Sequence, residues 1–186
     1  MRLVISLFAS GLLILSADRA VAQSATGIVE IDGSVADRCL FTTPSETISV
    51  GELALGGTGT QAGRLDVAKL NGQTRTLAGW CNGTAATISV EAMPLINRSF
   101  QGAPPTGFET RINYNADALA NRVTASDTST TAGAGTTIPV GLFTGDVVVT
   151  VSGSSTATGG LLVAGVYTSK IIVTLTPNVS FGGGSK

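Results

Sequence analysis

Apolar residues recur at every second position in short runs along this chain, and most runs stop at glycine, asparagine or proline. Such a period of two marks strands with one buried face. The first run is Gly27 to Val35, where Val29, Ile31 and Val35 share a face and Gly33 takes that face's fourth position without a side chain. Glu46 to Leu55 alternates in part. Arg64 to Leu70 leads into Asn71-Gly72, the strongest short hairpin signal, and Gln73 to Cys81 follows. A second Asn-Gly, at 82–83, precedes Thr84 to Leu95, in which Ile88, Val90 and Ala92 alternate with Ser89 and Glu91. Phe108 to Ala116, Asp146 to Gly153 and Gly165 to Pro177 complete the set. Only Ala116 to Val123 has helical composition, and it is too short to stand alone as a helix. Ala125 to Thr137 and Gly153 to Gly160 are low in complexity and read as surface loops or hairpin tips. Seven or eight short strands between turn signals predict an all-β, immunoglobulin-like sandwich. Immunoglobulin domains proper are disfavoured, because Trp80 directly precedes Cys81 instead of lying between two distant cysteines.

The first residues read as a signal peptide. Arg2 gives a positive start, residues 3–15 an apolar core, and Ala20 and Ala22 the small residues read at cleavage, which places the cut before Gln23. The apolar run of about 13 residues falls short of the ~20 a spanning helix needs. The expected destination is therefore the periplasm and beyond.

Charge narrows the partners. Without Arg2, Arg19 and Asp18 the chain keeps 9 basic and 11 acidic residues, and charged residues are 12% of the whole. No basic stripe suits nucleic acid, and no cationic amphipathic stretch suits a membrane. Histidine is absent, which removes the common neutral-pH base, histidine-dependent nucleophiles and histidine-ligated metals. Paired carboxylates remain (Glu30/Asp32, Glu46/Glu52, Glu109/Asp117), but they read as solvated strand faces or isolated surface charges. No phosphate-binding loop, calcium loop or nucleophile elbow is present, so the expectation is no enzyme, no metal and no cofactor. Two cysteines in a secreted chain most simply form one disulfide; no ligand cluster supports free or metal-binding thiols. The pair is Cys39 and Cys81.

The run from Gly27 to Val35 lies only three residues from Cys39. It must turn sharply to rejoin its own sheet, yet it is free to project. A projecting strand of this kind is unstable alone, since its apolar side chains and its ladder groups lack partners. It calls for a groove on another molecule, and Gly33 suits a place where that groove admits backbone but no side chain.

These residues carry a resemblance. "VEIDGSVADRC" (Val29 to Cys39) resembles the N-terminal extension of chaperone–usher fimbrial pilins, and "ATGIVEID" is most similar to their archaic branch. The second cysteine about 40 residues on, and the ending "AGVYTSKIIVTLTP", are similar to pilins and to spore-coat-U-like secreted domains. In that family the disulfide ties the first two strands. The resemblance implies an incomplete sandwich that lacks its last strand, completed by the extension of a neighbouring subunit. Val29, Ile31, Gly33 and Val35 would form that donor strand, and Tyr167, Ile171, Val173 and Leu175 one wall of the acceptor groove. It also implies a periplasmic chaperone, an outer-membrane usher, and a head-to-tail contact that does not close. Pro177 and "NVSFGGGSK" depart from the pattern, because pilins commonly finish at their last strand. The implied layout is a signal peptide (1–22), a donor extension (23–38), a pilin-like sandwich (39–177) and a flexible tail (178–186). The implied role is a structural subunit of a surface fimbria, serving adhesion or biofilm formation. The rival expectation is a self-contained secreted sandwich, a coat or matrix binding protein that does not polymerise.

Overall fold

The computed structural model describes residues 23–177, so the expected leader (1–22) and tail (178–186) lie outside the described residues. The chain divides into a unit ending at Ser34 and a second beginning at Val35. In the first, residues 23–34 carry no strand, and the side chains of Ile28, Val29 and Ile31 are exposed.

The second unit is almost wholly β. Its elements are β1 (Cys39–Phe41), α1 (Val67–Leu70), β2 (Thr74–Cys81), β3 (Thr87–Ala92), β4 (Leu95–Asn97), β5 (Phe108–Glu109) and β6 (Arg111–Ala120). There follow β7 (Val123–Thr128), β8 (Ile138–Pro139), β9 (Phe143–Ser155), β10 (Leu161–Leu162), β11 (Tyr167–Thr168) and β12 (Ile171–Thr176). A curled seven-stranded sheet runs β1-β2-β9-β6-β4-β11, with β7 also paired to β6. A three-stranded sheet runs β12-β3-β8, and β5 and β10 form a short parallel pair.

The period-two pattern sets what is buried. On β6 every second residue from Ile112 to Ala120 is buried, and on β9 so are Val147, Val149 and Val151. β3 contributes Ile88, Val90 and Ala92 to the same core cluster. Each fully buried valine or isoleucine contributes roughly 1.5–3 kcal/mol, so these three strands carry most of the apolar stabilisation.

Five segments differ from the expectation. Asn71-Gly72 does not join two strands. Asp66 caps α1 by accepting from the Ala68 N–H at 3.2 Å, and Gln73 N–H then donates to Leu70 O at 3.2 Å. With Asn71 at φ −66°, ψ 132° and Gly72 at φ 82°, this is a type II turn from helix into strand. Ala116–Ala120, helical in composition, is strand, because alanines at 116, 118 and 120 fill a tightly packed face where larger residues would not fit. The hairpin that follows turns on Asn121 (φ 45°) and Arg122 (φ 68°), both left-handed as a type I′ turn requires.

The low-complexity stretches are also more ordered than their composition suggests. Ala125–Thr128 belongs to β7, and buried Ser129 accepts the Tyr114 N–H at 2.8 Å. Gly153–Ser155 ends β9, with Ser154 N–H bonded to Asn71 Oδ1 at 2.9 Å. Finally, Glu46–Leu55 is not a strand; its one ladder contact is an isolated bridge from Ala54 to Leu65.

Candidate functional site: an open groove beside the last strand

β11 and β12 form one extended run from Tyr167 to Thr176. β12 pairs with β3 (Ile171 opposite Ala92) and β11 with β4 (Tyr167 opposite Asn97). The two registers differ by one residue, which the partner strand absorbs around Met93-Pro94, and Met93 N–H donates to Lys170 O at 3.0 Å. The run therefore keeps its alternation unbroken. Tyr167, Ser169, Ile171, Val173 and Leu175 are half-buried on the inner side, while Thr168, Lys170, Ile172, Thr174 and Thr176 are exposed.

β3 covers one edge of β12. Among the described residues no strand pairs with the other. The Met93–Lys170 bond points the amides of even-numbered residues towards β3, so those of Ile171, Val173 and Leu175 face the open edge. Across from it lies the segment Glu46–Ala54, paired only through the Ala54–Leu65 bridge, which turns Ile48, Val50 and Leu53 inward. The space between is a groove of about 940 Å³, walled by Glu46–Ala54 on one side and Leu162–Ile172 on the other. A smaller cavity of about 310 Å³ continues it past Ile48, Leu77, Val149, Ile171 and Val173.

Apolar and polar side chains both line the groove, and at one place inside it two hydroxyls meet. There Tyr114 Oη and Ser169 Oγ lie 2.8 Å apart, and Ser169 Oγ also donates to Met93 O. Burial pushes the Tyr114 hydroxyl above its usual pKa; the Ser169 bond opposes this and the Asp127 charge adds to it. Tyr167 is raised too, first by burial; its hydroxyl is held between Glu109 O at 3.0 Å and Val163 O at 2.9 Å.

Side chains as well as backbone bonds hold the wall that contains Leu162–Val166. Buried Asn97 donates to Val163 O at 2.9 Å and Ala164 O at 3.2 Å. Gly165 sits against it at φ +149°, where a Cβ would come within 2.4 Å of Asn97 Oδ1, so only glycine fits. Buried Glu109 accepts from Thr158 N–H at 2.7 Å and Thr158 Oγ1 at 2.6 Å. Its carboxylate is engaged in holding this loop. Among the described residues no group of three or more His, Cys, Asp or Glu could hold a metal.

Of the expected wall, Tyr167 and Ile171 line the large groove and Val173 its continuation. Leu175 lines neither; its Cδ1 fills the space over Gly79, 3.4 Å from where a Cβ there would sit. The opposite wall (Ile48, Val50 and Leu53) and the polar spot at Tyr114 and Ser169 were not foreseen. The alternation of Ile48 and Val50 was visible; its lack of a strand partner was not.

Cys39 and Cys81 are disulfide-bonded, joining β1 to β2 as expected. Beside them Asn82 takes the Arg38 N–H on Oδ1 at 2.5 Å and donates to Ala36 O at 3.1 Å, a turn role for this side chain. The expected donor residues Val29, Ile31 and Val35 are 87%, 93% and 84% exposed, and a Cβ on Gly33 would meet nothing within 4 Å. No helix among the described residues is long and apolar enough to cross a membrane, and the disulfide fits an oxidising compartment. Comparison with protein-family models, with curated proteins and with solved structures finds no match to this chain.

Proposed function

We propose that the chain is a structural subunit of a bacterial surface fimbria that polymerises by donor-strand complementation. In this reading the fold is an incomplete, pilin-type immunoglobulin-like sandwich, and residues 27–35 of one copy fill the groove beside β12 of the next. The observation that carries it is the edge of β12 that no strand among the described residues pairs with, beside a groove into which Ile48, Val50, Leu53 and Ile171 turn. Burying Val29, Ile31 and Val35 there would contribute roughly 5–8 kcal/mol, and pairing with β12 would satisfy its free amides. The contact joins unlike surfaces of two copies and does not close, so it generates a fibre. A periplasmic chaperone would cover the groove beforehand and an outer-membrane usher would exchange it for the donor, placing the fibre at the cell surface in adhesion or biofilm formation.

Deleting residues 23–35 tests this reading. Light scattering and electron microscopy should find polymers of the full chain and monomers of the shortened one. Polymers that persist after the deletion would refute it and favour a self-contained secreted sandwich.

A further inference from the structure

The three-stranded sheet β12-β3-β8 has two outer edges, and the chain treats them oppositely. β12 offers six residues with no strand beside them among the described residues. At the other end β8 is two residues long and finishes on Pro139, which has no N–H to give. Short edge strands and proline make poor templates for a further strand.

β3 is longer than β8, so most of its second edge is closed by other groups. Odd-numbered residues of β3 turn their backbone groups towards β12, as the Met93–Lys170 bond does, which leaves those of Ala86, Ile88, Val90 and Ala92 facing the second edge. Each is met differently. The N–H groups of Val140 and Gly141 donate to Ala86 O at 2.8 Å and 3.0 Å, and Ile88 pairs with Ile138. Gly135 N–H donates to Val90 O at 2.8 Å. Gly135 is wedged between β3 and β7, where a Cβ would overlap Ser126 O. At the end of the strand a side chain takes over: the Ala92 N–H donates to Asp127 Oδ2 at 2.7 Å.

The low-complexity run from 125 to 137 therefore has a task that its composition does not announce. We propose that residues 127–140 seal β3, denying its second edge to a strand from another copy of this chain, and that Asp127 closes the end of the seal. An ionised carboxylate only accepts, so Asp127 satisfies the Ala92 N–H and offers an incoming strand no donor. A chain with one open edge joins others in a line; a second open edge would let copies pair sideways as well. The seal does not depend on what occupies the groove beside β12.

Asp127→Ala in the full chain should speed amide exchange at Ala92 by roughly tenfold, the effect of one lost hydrogen bond. It should also raise light scattering several-fold over the unsubstituted chain and give laterally clumped material in electron micrographs. Exchange at Ala116 and Ala118, buried on β6, should stay slow and so report an intact fold. Asp127→Asn keeps an acceptor for the Ala92 N–H and should behave as the unsubstituted chain does. Gly135→Ala, pushed off Ser126 O, opens the seal from its other end and should reproduce the Asp127→Ala result. Unchanged association in Asp127→Ala, or in Gly135→Ala where the first does not fold, overturns the proposal. Equal association by Asp127→Asn and Asp127→Ala overturns it too, because the cause would then be the lost charge. Every comparison is with the unsubstituted chain, so the seal is read even where deleting residues 23–35 has refuted complementation.

Discussion

Residues 28–35 and 167–175 carry nearly the same alternation of apolar and polar positions, yet they meet opposite fates. The second stretch pairs with β3 and β4 and half-buries its inner residues. Among the described residues the first pairs with no strand, and Ile31 is 93% exposed. A pattern that specifies a strand does not specify whose sheet the strand joins. Local propensity shapes the run, and available edge decides its place. The last strand shares one edge with β3 and has no strand on the other, so the described residues hold an unpaired strand pattern and an unpaired strand edge at once.

The contrast is sharpest where a substitution strikes one region and spares the other. Replacing Cys39 and Cys81 together by serine should cost about 4 kcal/mol of folding stability, since the bond closes a loop with sequence separation 42. Denaturant unfolding reads that loss. Ile88→Ala, at a position with no exposure, should cost about 3 kcal/mol. Ile31→Ala should leave folding within about 0.5 kcal/mol and weaken only assembly. Equal destabilisation by the two would mean that Ile31 is buried in its own subunit.

Tyr114 offers a smaller, pH-dependent effect in the groove. Its folded pKa is raised above 10.0, so the unfolded chain ionises first as the solution becomes alkaline. The stabilisation is complete below pH 10.0 and is lost as pH rises through the folded value. Tyr114→Phe should cost about 1 kcal/mol at neutral pH, the worth of one hydrogen bond, and should flatten the fall in stability above pH 10.0, read by unfolding at several pH values. The smallest effect on folding belongs to Gly33→Leu, which has open space around it and should be silent there. The same change should block polymerisation, because the proposed groove admits backbone but no side chain at Gly33. Unimpaired polymers would remove that tight site.

Much of this was legible from the residues. Period-two runs located most strands, and the cysteine count gave the disulfide. Composition misled where packing outweighed it: alanines at 116, 118 and 120 look helical but make the thin buried face of β6. Asn71-Gly72 signals a tight turn without saying that a single helical turn precedes it. The groove was the least legible feature. Tyr167, Ile171 and Val173 could be named from the pattern of one strand, but the missing ladder at Glu46–Ala54 depends on where distant segments lie. No local pattern encodes an absent partner.

The central claim is that the groove accepts residues 27–35 from outside its own chain. The most direct measurement adds a synthetic peptide of that sequence to the chain lacking residues 23–35 and follows Tm together with amide exchange. At about one hundred times its dissociation constant the peptide should add ~2.7 kcal/mol and raise Tm by roughly 5–10 °C. The amides of Ile171 and Val173 should become protected, and the Gly33→Leu peptide should do neither. A Tm that stays fixed at saturating peptide, with those amides exchanging as before, would contradict the claim.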